Sequence, residues 1–171
     1  MGQTGLLDDL YPWLVFVHVF GVLVFVLAHG ASAVVWFRLR KEQSLERVAA
    51  LLDASASSYL AMTIGFLAIL ATGLTLGFIG PWWRYAWFWS ALVLLFVIGI
   101  LMTPLAAIPY NKVRKALGLR RPYGRLEGAP AAPPSAGDVR AMLDAAHPVA
   151  AAIVGFGGIA VILWVMMFKP F

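Results

Sequence analysis

The sequence predicts an all-α integral membrane protein, a bundle of four transmembrane helices with the N-terminus and C-terminus outside and two basic cytoplasmic loops. Of the 171 residues, 62% are hydrophobic and only 12% are charged, whereas a soluble domain averages about 25% charged residues. Four stretches lack Asp, Glu, Lys and Arg, and each exceeds the roughly 20 residues that a spanning helix needs. They cover residues 10–37, 54–83, 85–111 and 145–168.

Four transmembrane helices make up one predicted domain that covers the whole chain. Their expected limits are about residues 11–38, 58–79, 85–110 and 147–168. Pro12 is expected in the first turn of the first helix, where its missing N–H costs nothing. Pro104 is expected to kink the third helix, and Pro109 to bend or stop it.

Three segments between the helices have distinct predicted structures. Residues 45–52 carry apolar side chains at helical spacing and are expected to form a short amphipathic segment on the cytoplasmic surface. The linker 121–137 is rich in Pro and Gly and is expected to be flexible. Residues 138–146 are expected to form a helical, interfacial segment before the fourth span.

Charged and aromatic residues agree on the orientation. Eleven of the 13 Lys and Arg residues fall in the loops that join helices one and two and helices three and four, and basic loops stay in the cytoplasm. Only Arg84 and Lys169 lie on the opposite side, where most Trp and Tyr residues also fall, as in an interfacial belt. The predicted location is a bacterial cytoplasmic membrane, which the chain crosses several times.

Composition also limits the classes of partner and activity. The net charge of +5 is interpreted as a topology signal with anionic-lipid contact at the cytoplasmic loops, and not as nucleic-acid binding. A membrane protein partner or a homo-oligomer is a further candidate. The absence of Cys excludes disulfides and thiolate metal sites. Hydrolase motifs are missing and the predicted spans hold no carboxylate or lysine, so hydrolysis and active pumping are disfavoured, while other enzyme activity stays open.

Two histidines in the first helix give the strongest indication of function. His18 and His29 are eleven residues apart, which is three helical turns plus about 20°, so they share a face about 16 Å apart. The same face carries Phe25, Ser32 and Trp36. Because neutral imidazole is an axial ligand of haem iron, the first-helix histidines are predicted to bind b-type haem and to serve membrane redox chemistry and electron transfer.

Other residues complete the predicted haem site. His147, at the cytoplasmic start of the fourth helix, is a candidate ligand opposite His29. Arg84 on the outer side and Arg38 on the inner side are candidates to pair with haem propionates. Glycines in the second and fourth helices would let backbones or a flat cofactor approach closely.

The segment FVHVFGVLVFVLAHG, residues 16–30, resembles the "LHxxGAxxWxGG" opening of CopD-like four-helix membrane proteins. That group includes the copper-resistance D domain, a haem-binding protoporphyrinogen oxidase family and several uncharacterised integral membrane families, to which this chain is most similar. The resemblance implies that His18 is a haem or metal ligand and that Gly21 is a close-packing residue. Phe25 stands at the Trp position of the pattern, and His29 is a feature of this chain's own.

Two other interpretations remain open. In the first, the protein handles copper, with His18 joined by Met166 or Met167, because thioether and imidazole suit Cu(I). In the second, it is a structural or accessory subunit without a cofactor, and its histidines serve only as hydrogen-bonding groups between helices.

Overall fold

A computed structural model describes residues 4–119 and 134–171, and within them it confirms the all-α class, since every regular element there is helical. Four helical stretches are long and apolar enough to cross a membrane, which makes this a multi-pass membrane protein. We call them the first to fourth spans. They are Asp9–Leu39, Leu45–Ile79, Ala86–Ala116 and Pro148–Phe168.

The first two spans belong to helices that are longer than predicted. Helix α1 is Thr4–Leu39, so Pro12 lies inside it and the prediction of a first-turn proline is wrong. Helix α2 is Leu45–Ile79, and the Ser44 hydroxyl caps it by accepting a hydrogen bond from the Arg47 N–H. The predicted separate amphipathic segment is therefore wrong. Its residues are the first turns of α2, because no Gly or Pro interrupts residues 45–58.

The third span is a helix with one irregular turn. A 3₁₀ turn, Trp82–Arg84, leads into α3, Ala86–Met102, which continues through a π turn, Thr103–Ala107, into α4, Ile108–Ala116. Pro104 lies in the π turn and Pro109 in the first turn of α4. The sequence predicts that Pro109 bends or stops the helix. The structure shows that it does not stop it, because a proline in the first turn of a segment removes no hydrogen bond that the segment needs.

The fourth span has the same construction. Helix α5, Ala136–Asp144, precedes this span. The span itself begins with α6, Pro148–Ala152. A π turn, Ile153–Gly157, then joins α6 to α7, Gly158–Phe168. Ser135 and Asp138 form a capping box at the start of α5, and the Ser135 hydroxyl and N–H lower the pKa of the Asp138 carboxyl. The helix predicted at 138–146 is confirmed. Of the predicted linker, residues 121–133 lie outside the described residues.

The spans pack as two close pairs. Between α1 and α2, a Cβ added to Gly65 would lie 2.9 Å from the Gly21 carbonyl oxygen and 2.9 Å from the Phe25 nitrogen, so the two backbones touch there. We call Gly21 and Gly65 the glycine seam. In the second pair, Gly158 of α7 leaves room for Ile98 of α3. Small residues of this kind let membrane helices approach closely.

The two ends of the bundle differ in composition. At the basic end, the last turns of α1, the start of α2, α4 and α5 enclose an apolar cluster. This basic-end cluster consists of Trp36, Leu39, Val48, Leu52, Tyr110, Val113, Val139, Leu143 and Ala146. At the aromatic end, α3 and α7 enclose Trp87, Phe88, Ala91 and Val165, against which Trp82 and Trp83 pack. Because the spans alternate in direction, α1 begins and α7 ends at the aromatic end.

Candidate intramembrane binding site

A cavity of about 350 Å³ lies between the two pairs of spans, in the half of the bundle nearer the basic end. This volume is within the roughly 300–1,000 Å³ range of small-molecule sites, towards its lower limit. All four spans contribute to the lining, which includes Tyr59, Met62, Ile98 and Pro148. None of the lining side chains among the described residues is charged, so the cavity suits an apolar molecule with a few polar atoms.

Helix α1 turns one face towards this cavity. Phe25, His29, Ser32 and Trp36 all line it, and their spacing of four, three and four residues places them along one side of a helix. The sequence predicted that these four residues share a face, and the structure confirms this. It also shows that the face points towards the cavity. The neighbouring helices decide that direction, since nearly all other residues of α1 are apolar.

Three polar atoms on this face are buried without a hydrogen-bond partner. They are Nε2 of His29, Oγ of Ser32 and Nε1 of Trp36. The Trp36 side chain, only 5% exposed, stacks on Tyr110 with ring centroids 4.6 Å apart. An unpaired buried polar group costs about 1–3 kcal/mol, and most such groups in folded proteins are paired. Three of them on one face of this cavity make it the candidate binding site.

Both π turns also border the cavity. Thr103, Ala106 and Ala107 of the first π turn line it, as does Gly155 of the second. A Cβ on Gly155 would collide with Nε2 of His29, so the missing side chain of this glycine makes room for the imidazole ring itself. Single π turns within longer helices occur frequently at functional sites.

His18 occupies a different environment, between α1 and α2. Its Nδ1 lies 3.0 Å from the Thr72 hydroxyl oxygen, and that hydroxyl donates its own hydrogen to the Ala68 carbonyl. Thr72 must then accept from Nδ1–H, which leaves Nε2 of His18 as the acceptor nitrogen. A Cβ on Gly73 would lie 3.2 Å from Cε1 of the ring. The structure thus separates His18 from the cavity that His29 lines.

The remaining predicted site residues also lie apart from the cavity. Gly21 packs against Gly65 and Ala68 of α2, which is the close-packing role implied by the family resemblance. His147 precedes α6 with its side chain exposed. Arg38 is exposed at the basic end and Arg84 at the aromatic end. The structure does not bring His147 and His29 together in the cavity lining.

Metal ligands are not clustered in the part of the chain that the structure describes. Within residues 4–119 and 134–171, no group of three or more His, Asp or Glu could hold a metal ion. Met166 packs against the aromatic-end cluster, and Met167 is 77% exposed. The copper interpretation therefore gains no support from the arrangement of these residues.

Several cavity residues carried no separate signal in the sequence. Tyr59 and Thr63 of α2 and Thr103 of the third span line the cavity, and the sequence analysis did not single them out. Hydroxyl side chains four residues apart in an apolar helix, such as Tyr59 and Thr63, are the pattern that could have indicated this second polar face.

Comparison of the chain with protein-family models, with curated proteins and with solved structures finds no match. The CopD-like resemblance therefore stays a prediction, and a functional argument has to rest on the cavity and its residues.

Proposed function

We propose that the protein binds a lipophilic redox cofactor inside the membrane, with His29 as the residue that anchors it. The observation that carries this proposal is the unpaired Nε2 of His29, buried in an apolar cavity beside Gly155. Ionisable side chains within membrane spans are rare and usually serve a function. His18 differs in its position, because it lies against Thr72 between α1 and α2 and does not line this cavity.

A b-type haem is the first candidate ligand. The imidazole of His29, which lines the cavity, would hold the haem iron. Haem would supply one-electron chemistry to the bundle. Two features fit less well, since among the described residues no second histidine lines the cavity and no cation there would pair with the propionates. Arg38 and Arg84, the predicted propionate partners, are exposed at opposite ends.

The absorption spectrum of the purified, detergent-solubilised protein tests the haem candidate. If haem is the ligand, we expect a Soret band that shifts on reduction, is lost in His29→Ala and is retained in His18→Ala, because His29 lines the cavity and His18 does not. A Soret band lost in His18→Ala and retained in His29→Ala would contradict the assignment of the anchor to His29.

We also propose that the basic end faces the cytoplasm of a bacterial cell, with anionic lipid headgroups as its partners. The residues Arg38, Lys41 and Arg47 surround a surface groove at this end, and Lys and Arg near a span hold their loop on the cytoplasmic side. One exposed cation from each end serves as a matched reporter, namely Lys41 at the basic end and Arg84 at the aromatic end.

Because the chain has no Cys, single-cysteine variants report orientation directly. We expect a membrane-impermeant maleimide to label the Arg84→Cys variant on intact cells, and to label the Lys41→Cys variant only after lysis. The reverse pattern would show that the basic end faces outward.

A further inference from the structure

We propose that the cavity ligand is a neutral para-quinone, held by hydrogen bonds from the α1 face that carries His29, Ser32 and Trp36. This inference rests on the proposed function, since it specifies the chemical class of the molecule anchored at His29. It is carried by the charge of the lining, by the polar atoms on α1 and by the opening of the cavity.

The lining excludes most charged lipophiles. Every lining side chain among the described residues is uncharged. A carboxylate or phosphate in this cavity would be buried without a counter-charge, which costs several kcal/mol. A quinone ring is uncharged and carries two carbonyl acceptors, so it needs hydrogen-bond donors and no cation.

The unpaired atoms supply those donors. Nε1 of Trp36 can only donate, and the Ser32 hydroxyl can donate or accept. The His29 ring can present N–H at Nε2 in one of its tautomers. Each of the two quinone carbonyls can therefore accept from this face, and the hydroxyl of the reduced quinol can donate back to His29 or Ser32.

The α1 donors are spread along one side of the cavity. Seven residues separate His29 from Trp36, a helical rise of about 10 Å between their backbone positions. Ser32 lies between the two anchors. Aromatic side chains of Phe25, Phe66 and Tyr110 provide apolar walls for the ring.

The opening of the cavity suits an isoprenoid or alkyl tail. Among the lining residues, Phe37 is 40% exposed, and Gly99 and Thr103 of the third span are also exposed. A Cβ on Gly99 would meet no atom within 4 Å. Since these residues belong to spans, the exposed side of the cavity faces lipid, and a ligand would enter from the bilayer with its tail left in the membrane.

Equilibrium dialysis of decylubiquinone against the protein in lipid nanodiscs tests this proposal. We expect saturable binding at one site per chain, weakened about tenfold in Trp36→Phe, because the indole N–H is lost while the stacking ring is kept. The matched control is Trp89→Phe, whose Nε1 donates to the Trp83 carbonyl at the aromatic end. This control should bind like the unsubstituted chain.

Three outcomes would overturn the quinone assignment. They are no saturable binding, equal binding by Trp36→Phe and the unsubstituted chain, and unchanged binding by Ala106→Trp, which fills the cavity from the first π turn. A Soret band that depends on His29 would show that the ligand is haem and not a quinone. The proposed function would still stand. Absence of both haem and quinone binding in protein with a native-like circular dichroism spectrum would overturn the proposed function as well.

Discussion

Replacing Arg114 by alanine should lower the melting temperature of the detergent-solubilised protein by about 10 °C. Arg114 is 1% exposed and donates from Nη1 to the Leu52 carbonyl, inside the basic-end cluster. The Tyr110 hydroxyl donates to Ser55 at 2.8 Å, and Ser55 donates to the same Leu52 carbonyl at 2.7 Å. Alanine would leave a hole in this cluster and remove its charged donor, which together cost about 3 kcal/mol, or roughly 2–4 °C for each kcal/mol.

The exposed Lys112 on the same helix is the control for Arg114. Differential scanning fluorimetry based on tryptophan emission should show a shift of no more than about 1 °C for Lys112→Ala, since exposed substitutions stay within about 0.5 kcal/mol. If Arg114→Ala lowered the melting temperature as little as Lys112→Ala does, α4 would tolerate truncation at both positions. The buried arginine would then not join the helices at the basic end.

Replacing Gly65 by alanine should lower the melting temperature by about 5 °C. The added Cβ would lie 2.9 Å from the backbone of Gly21 and Phe25, and the backbone of a packed helix cannot rotate aside as a side chain can. Overpacking of this kind costs about 2–3 kcal/mol, while alanine returns up to about 1 kcal/mol through its higher helix propensity.

Gly30 provides a matched glycine for this experiment. It lies in α1, and a Cβ there would meet no atom within 4 Å, so Gly30→Ala should keep or slightly raise the melting temperature. If Gly65→Ala were as stable as Gly30→Ala in the same fluorimetry, the two backbones would not be in contact at the glycine seam.

The spans were predictable from the sequence because lipid contact demands long runs without charge. Helix limits were less predictable, since composition marks where a chain meets lipid and not where a helix ends. Residues 45–57 show this: they carry charges and so fell outside the predicted span, yet they continue α2 because nothing in them breaks a helix. Packing of Val48 and Leu52 against the other helix ends stabilises these extra turns.

The site was predictable only in part. Spacing placed Phe25, His29, Ser32 and Trp36 on one face, and the structure confirms that arrangement. The same spacing placed His18 with His29, yet α2 contacts His18 through Thr72 and Gly73, while Gly155 of the fourth span lies beside His29. Tertiary packing decides which neighbouring helix contacts each part of the α1 face. Hydrophobic periodicity cannot predict this contact, because nearly every residue of α1 is apolar.

The division of the bundle into two close pairs has a consequence for biosynthesis. The contacts at the glycine seam lie within residues 21–69, so the first pair can close before the third and fourth spans have been synthesised. The cavity wall formed by Pro148, Ala151 and Gly155 belongs to the last span. The cavity is therefore completed only once the fourth span has inserted, and any ligand joins after all four spans are in place.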